Sequence, residues 1–193
     1  QLTRDGGVSW ANVRPAIKGV PAGLWCSRVE ASRFDEGTCY VAFDGHRSDD
    51  FHVYVYKTTD YGKTWAAITA GIPDGQPVYV IREDLKAKNL LFLGTEFGAF
   101  FSRNGGQSWS PLRLNLPTVA VHDLLIHPRD NDLIAATHGR GIWILDDITG
   151  LRAATDAVLA QDAALFEVNK PGTRWLRVQR GGYGRGDLYF KGE

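Results

Sequence analysis

The chain has 193 residues, with 22 Lys plus Arg against 22 Asp plus Glu, so no net field draws it to nucleic acid or to an acidic membrane surface. Its 44% hydrophobic and 23% charged content suits a soluble chain with a buried core, and no run of about eighteen apolar residues offers a membrane-spanning helix. Gly at 22 and aromatics at 11% favour many short strands joined by tight turns, hence an all-β fold.

The sequence opens on Gln1, contains no Met and shows no basic-then-apolar leader, so the start reads as internal or processed. TRDGGVSW (Thr3 to Trp10) then recurs as TTDYGKTW (Thr58 to Trp65) and as SRNGGQSW (Ser102 to Trp109). Each copy reads hydroxyl, any, Asp or Asn, any, Gly, any, hydroxyl, Trp. In such a hairpin turn Asp5, Asp60 or Asn104 accepts nearby backbone N–H groups, the Gly takes a positive φ, and the hydroxyl closes the loop. Trp10, Trp65 and Trp109 begin the next strand and anchor it.

Residues 1–17 hold the first box and a strand from Ser9 to Val13, the end of a truncated repeat. Residues 18–71 read as LWCSRVEASRF, a turn at Asp35 to Thr38, CYVAFDG, a long loop over Gly45 to His52, HVYVYKT, the box and WAAITAG. Residues 72–116 read as PVYVIRED, LLFLGTE, a Gly98 corner, AFFS, the box and WSPLRL. Residues 117–168 read as VHDLLIHP, LIAATHG and IWILDD, then a helical turn near Asp156 to Ala160 and a strand at Ala164 to Val168. Apolar and polar residues alternate in HVYVYK and CYVAF, as in strands with one face against a neighbouring sheet. Aligning the third and fourth repeats without gaps sets Gly98 on Gly141, Phe100 on Trp143 and Asn104 on Asp147. Asp147 thus marks a degenerate box that has lost its Trp. Residues 169–193, rich in Gly and Arg, read as an irregular linker into a further C-terminal domain.

The two cysteines fall in one predicted hairpin, with Cys39 opposite Phe34 and Cys26 about 25 Å further along, beyond the ~7 Å that a disulfide spans. Two free thiols, buried or half-buried, are expected.

Trp65 to Trp109 spans 44 residues, Asn104 to Asp147 spans 43, and Trp10 to Trp65 spans 55 because of the Gly45 to His52 loop. Periods of about 40–50 residues with four strands each indicate a β-propeller. Here the sequence resembles the Asp-box (BNR) repeat family of sialidases, xyloglucanase-like glycosidases and sortilin-type propellers. In that family the box is a structural turn between the last two strands of a blade, so the resemblance makes Asp5, Asp60, Asn104 and Asp147 structural. SRVEASRFDEG, VYKTTDYGKTW, LFLGTEFG and VHDLLIHPRDNDL with THGRGIWILDD are similar to large bacterial sortilin-like proteins that carry a glycosyl hydrolase label. The resemblance implies about four four-stranded blades, the first truncated, from a larger secreted or extracytoplasmic protein. The rest of its own polypeptide, or another copy, would then complete the ring.

In a propeller the first strand of each blade lines the central channel. A gapless alignment of the second and fourth repeats puts Glu30 on Asp123 and Val29 on His122, with Arg28 and Arg82 nearby. Glu30, Asp123 and His122 could share a funnel and do general acid and base work, or they are hydrogen-bonded groups that fix the inner strands. His46, Arg47, Asp49, Asp50 and His52 offer oxygen and nitrogen ligands, but their spacing fits no established metal loop, and a solvated, ion-paired loop is the bland reading; no metal and no cofactor is assigned. THGRG is chiefly a corner aligned on Gly94 to Gly98, from which His138 and Arg140 could project toward a ligand. No Arg-Ile-Pro segment of the sialidase type occurs.

The expected function is a non-catalytic interaction module that binds peptide, protein or glycan at the channel face. The alternatives are a glycoside hydrolase with a carboxylate pair that includes Glu30 or Asp123, and a self-assembling structural protein joined through open strand edges.

Overall fold

Four consecutive strands, each antiparallel to the next, make the first sheet: β1 (Trp25–Ala31), β2 (Cys39–Gly45), β3 (Asp50–Thr58) and β4 (Ala66–Ala67). The second repeats that order with β5 (Val78–Glu83), β6 (Leu91–Thr95), β7 (Gly98–Ser102) and β8 (Ser110–Pro111). The third contains β9 (Val121–Ile126), β10 (Leu133–Thr137) and β11 (Ile142–Leu145), followed by a short helix α1 (Thr149–Ala153). This computed structural model describes residues 1–166, 175–179 and 188–192 and divides into two units, Gln1–Thr155 and Asp156–Glu193. The first unit is an all-β propeller segment.

Strand periodicity explains how the sheets stack. In β2, Tyr40 and Ala42 face one side and join Ile81, Leu91 and Leu93 in a core between the first two sheets. Val41 and Phe43 face the other side and pack with Ile17 and Tyr56. β6 is apolar on both faces, because Phe92 and its neighbour Leu90 enter a second core with Val121, Leu124 and Leu133 of the third sheet. Gly94 in β6 marks a close approach of the second and third sheets: a Cβ there would lie 2.5 Å from the carbonyl oxygen of Val121.

The boxes are turns, as the sequence predicts. Thr64 N and Oγ1 donate to the Asp60 carboxylate at 2.9 and 2.6 Å, Gly62 N donates to Thr58 Oγ1 at 2.9 Å, and the Trp65 indole donates to the Gly62 carbonyl at 3.0 Å. Asp5 repeats this set with Ser9, and Asn104 repeats its core with Ser108. The second and third boxes also close on the first turn of their own sheets: Tyr61 N donates to Gly37 O, and Gly105 N donates to Asn89 O. The box glycine then presses on the preceding repeat, where a Cβ at Gly106 would stand 2.6 Å from Ile68 Cδ1.

Several expectations are corrected. The strand from Ser9 to Val13 reduces to a single bridge, Leu2 to Ala11. The last sheet has three strands among the described residues, because the chain turns into α1 where a fourth strand would start. Cys39 pairs with Ala31 rather than Phe34, since the chain loops out over Ser32 to Thr38, and Cys26 is exposed rather than buried. The corner aligned residue for residue on Gly94 to Gly98 holds one more residue than its counterpart. Thr95 Oγ1 donates to Gly98 O and Thr137 Oγ1 donates to Gly141 O, so two residues intervene in one and three in the other.

The second unit contains a helical turn α2 (Asp156–Leu159) and an antiparallel pair, β12 (Trp175–Gln179) with β13 (Leu188–Gly192), where an irregular linker is expected. Ala164 to Phe166 form no strand; the remainder of that predicted strand, Glu167 and Val168, lies outside the described residues.

Candidate functional site

The first strands of the three sheets lie side by side, with β5 between β1 and β9. All three carry the same irregularity. β1 sets Cys26 opposite Phe43 and Arg28 opposite Ala42; β5 sets Val78 opposite Thr95 and Val80 opposite Gly94; β9 sets Val121 opposite Thr137 and Asp123 opposite Ala136. One residue in each strand, Ser27, Tyr79 or His122, therefore has no opposite number. A bulge of this kind bends the strand and re-aims the extra side chain. All three extra residues line one open cleft of about 560 Å³.

The loops at that end supply the other walls. Asp44 comes from the end of β2, His46 and Arg47 from the β2–β3 connection and Phe51 from the start of β3; the β6–β7 corner brings Glu96 and Phe97; the β10–β11 corner brings His138. Four rings run in sequence, with centroid separations of 5.9 Å from His46 to Tyr79, 4.4 Å from Tyr79 to His122 and 5.1 Å from His122 to His138. Tyr79 donates its hydroxyl to Glu96. Burial, then the hydrogen bond and charge of Glu96, push the Tyr79 phenol above its ordinary range, so it remains a donor. His46 Nδ1 lies 2.6 Å from Asp44. The Arg47 guanidinium lies 4.8 Å above the Trp25 ring, a cation–π contact that fixes it without neutralising its charge. Trp25 and Phe97 nevertheless remain 58% and 53% exposed.

Next to the cleft lies an ion-pair network. Arg82 donates to Glu30 at 3.1 Å, to Asp123 at 3.0 Å and to the Leu124 carbonyl at 2.8 Å, and Arg28 donates to Asp123 at 2.7 Å. Glu30 also accepts the Glu83 N–H at 3.3 Å. Of the predicted acid and base set, Glu30 and Asp123 thus meet in this network, while His122 is turned into the cleft by its bulge. Arg28 joins the two regions and Arg82 belongs to the network. His138 lines the cleft. Arg140 does not, standing exposed on the corner with its carbonyl taken by the Trp143 indole. Aligning the bulges places Glu30 on Leu125 and Arg28 on Asp123, two residues from the gapless alignment. The loop cluster divides: His46 turns to Asp44 and His52 to Asp50 at 2.9 Å, and no three His, Cys, Asp or Glu side chains converge as a metal set among the described residues.

Sequence reasoning missed Ser27, Tyr79, Glu96, Trp25, Phe51 and Phe97. The available signal was positional, since all lie at first-strand starts or in and just after the second-to-third-strand connections, which a propeller gathers at one end.

A BNR/Asp-box repeat is found at residues 100–111. No curated protein matches the chain. Among solved structures, the chain is similar to the GH74 xyloglucanase of Xanthomonas campestris, at 24% identity and a TM-score of 0.57 over 72% of this chain and 22% of that one. It is also similar to the GH74 enzyme of Niastella koreensis, at 15% identity and a TM-score of 0.50 over 63% of this chain and 21% of that one. The chain therefore spans about a fifth of the length of these neighbours. It is a β-propeller segment with an Asp-box repeat, built on the sheet arrangement of GH74 enzymes.

Proposed function

We propose that the chain is part of a propeller recognition module that binds its partner in the cleft, and that Glu30 and Asp123 brace the first strands rather than cleave a bond. One observation carries this reading: the Arg82 guanidinium donates to both carboxylates. A hydrolytic pair needs the space between its carboxyl groups for a glycosidic oxygen or a water molecule, and a guanidinium occupies that space here. The cleft, by contrast, presents exposed rings and donor side chains at its surface, as binding sites do.

Among glycan, peptide and protein ligands, glycan is the first to test. Exposed aromatic faces suit the apolar faces of sugar rings, and the Xanthomonas neighbour is a xyloglucanase. A sortilin-like affinity, a bacterial origin, an extracytoplasmic setting and completion of the ring by other chain belong to the same proposal.

The test is a polysaccharide binding and hydrolysis screen of the whole protein beside Glu30→Gln and Asp123→Asn. Binding without turnover in all three is expected. Turnover that disappears in either variant would establish the competing glycoside hydrolase.

A further inference from the structure

The formal charges that line the cleft balance, Arg28 and Arg47 against Asp44 and Glu96, but the two signs are not equally engaged. Its two carboxylates are engaged by neighbouring donors, Asp44 by His46 and Glu96 by Tyr79. Its cations are less completely engaged. Among the described residues Arg47 has no carboxylate partner and is held by the Trp25 ring. Arg28 shares Asp123 with Arg82, and its Nε is buried without a hydrogen-bond partner. His122 and His138 stack on the same wall.

Backbone groups near this end are largely occupied. Val78 O accepts Ser27 Oγ at 2.7 Å, Ala120 O accepts His138 N at 2.9 Å, and Leu124 O accepts Arg82. The three bulges also interrupt the strand edges that an extended peptide would need for a continuous ladder. Exposed ring faces and cationic side-chain tips remain. They complement a sugar ring that carries a carboxylate, with apolar C–H faces above and below and a planar anion at the rim.

We propose that the cleft binds an acidic glycan, a uronate-bearing oligosaccharide, with sugar rings against Phe97 and Trp25 and carboxylates toward Arg47, Arg28 and the imidazoles of His122 and His138. This rests on the recognition reading above and specifies its ligand class. Arg47 is the specificity residue, because it is exposed, fixed in place and absent from the Arg82 network.

The experiment is calorimetry on the whole protein with oligogalacturonate and oligomannuronate, each beside its methyl ester, which keeps the backbone and removes the charge, and with an acidic peptide. An acidic oligosaccharide is expected to bind at least about tenfold more tightly than its ester, and Arg47→Ala is expected to remove about that factor. Raising salt from roughly 50 to 500 mM should weaken the acid and leave the ester unchanged. Equal affinity for acid and ester would overturn the anionic class and leave glycan recognition standing. Binding of the peptide alone would overturn the glycan. Binding of nothing would remove the recognition reading as well.

Discussion

The sheets β5–β8 and β9–β11 begin alike and end differently. Both start with a bulged strand, both turn back through an Asn with positive φ, Asn89 at 73° and Asn131 at 61°, and in both the later chain donates an N–H to that Asn carbonyl, from Gly105 and from Ile148. After that point they diverge. In the first, Asn104 closes the box with Ser108, and Trp109 buries itself to 4% exposure with its indole on the Ile68 carbonyl at 2.7 Å. In the second, Asp147 accepts Thr149 N and Oγ1 at 3.2 and 2.6 Å and opens α1. Docking on the inner turn thus survives without the hydroxyl, Gly and Trp positions, but reversal into a fourth strand does not. The carboxylate alone turns the chain, and the rest of the box decides where it goes.

α1 is held by a different device. Arg152 grips Asp84 through Nε and Nη2 at 2.9 and 2.8 Å and reaches Asn131 at 2.7 Å. Burial raises the Asp84 carboxyl, but the Arg152 guanidinium and the N–H groups of Lys86 and Ala87 outweigh it, so the net shift is downward. Asp84→Ala should therefore produce the largest loss, about 3–5 kcal/mol of unfolding free energy, because it leaves Arg152 charged and nearly buried without its partner. Urea denaturation measures it, and a loss below about 1 kcal/mol would mean that α1 is not what ends the third sheet.

The intact boxes give a graded second test. Trp109→Ala should cost about 3 kcal/mol through cavity formation and a lost indole hydrogen bond. Trp10→Ala, at a ring that is 60% exposed and bonded only to its own Gly7, should stay within about 0.5 kcal/mol. Equal losses at the two positions would show that the Trp acts within its own turn rather than on the neighbouring sheet.

The contrast between the sheets also shows what the sequence can disclose. The strands were legible because His52 to Lys57 and Cys39 to Phe43 alternate, and because the box carries its own hydrogen-bonding logic in eight residues. Arg28, His46, Arg47, His122 and His138 were named singly, but the cleft as one site was not legible, because a bulge adds one residue without altering composition or flanking periodicity. Ser27, Tyr79 and His122 look like ordinary strand residues, and a gapless alignment steps past them to pair Glu30 with Asp123. α1 was equally hidden, since its anchor Asp84 lies 68 residues before Arg152 in the chain. Corner tips such as Glu96 and Phe97 become interpretable only when first-strand starts and second-to-third-strand connections are placed at the same end.

The smallest effect separates the Asp boxes from the Asn box. The Ser9 hydroxyl and N–H hold the Asp5 carboxyl down to about 2, and the Thr64 hydroxyl and N–H do the same for Asp60. Each folded-state value lies below the unfolded one near 4, so each carboxylate contributes stability that is complete above about pH 4 and is lost as pH falls through about 2. The third box has an amide here, and its donor direction is reversed: Asn104 Nδ2 donates to Ser108 Oγ at 2.8 Å, whereas Thr64 Oγ1 donates to Asp60. A rotated hydroxyl therefore accommodates either residue, and Asp60→Asn should fold normally while losing part of the acid sensitivity. Melting temperatures of wild type and variant, followed from pH 5 to pH 2, should converge toward the acid end. Asn104→Asp should make the opposite change by adding an acid-sensitive turn. Parallel curves in both variants would place the acid response elsewhere and reduce the box carboxylate to a hydrogen-bond acceptor that an amide replaces at every pH.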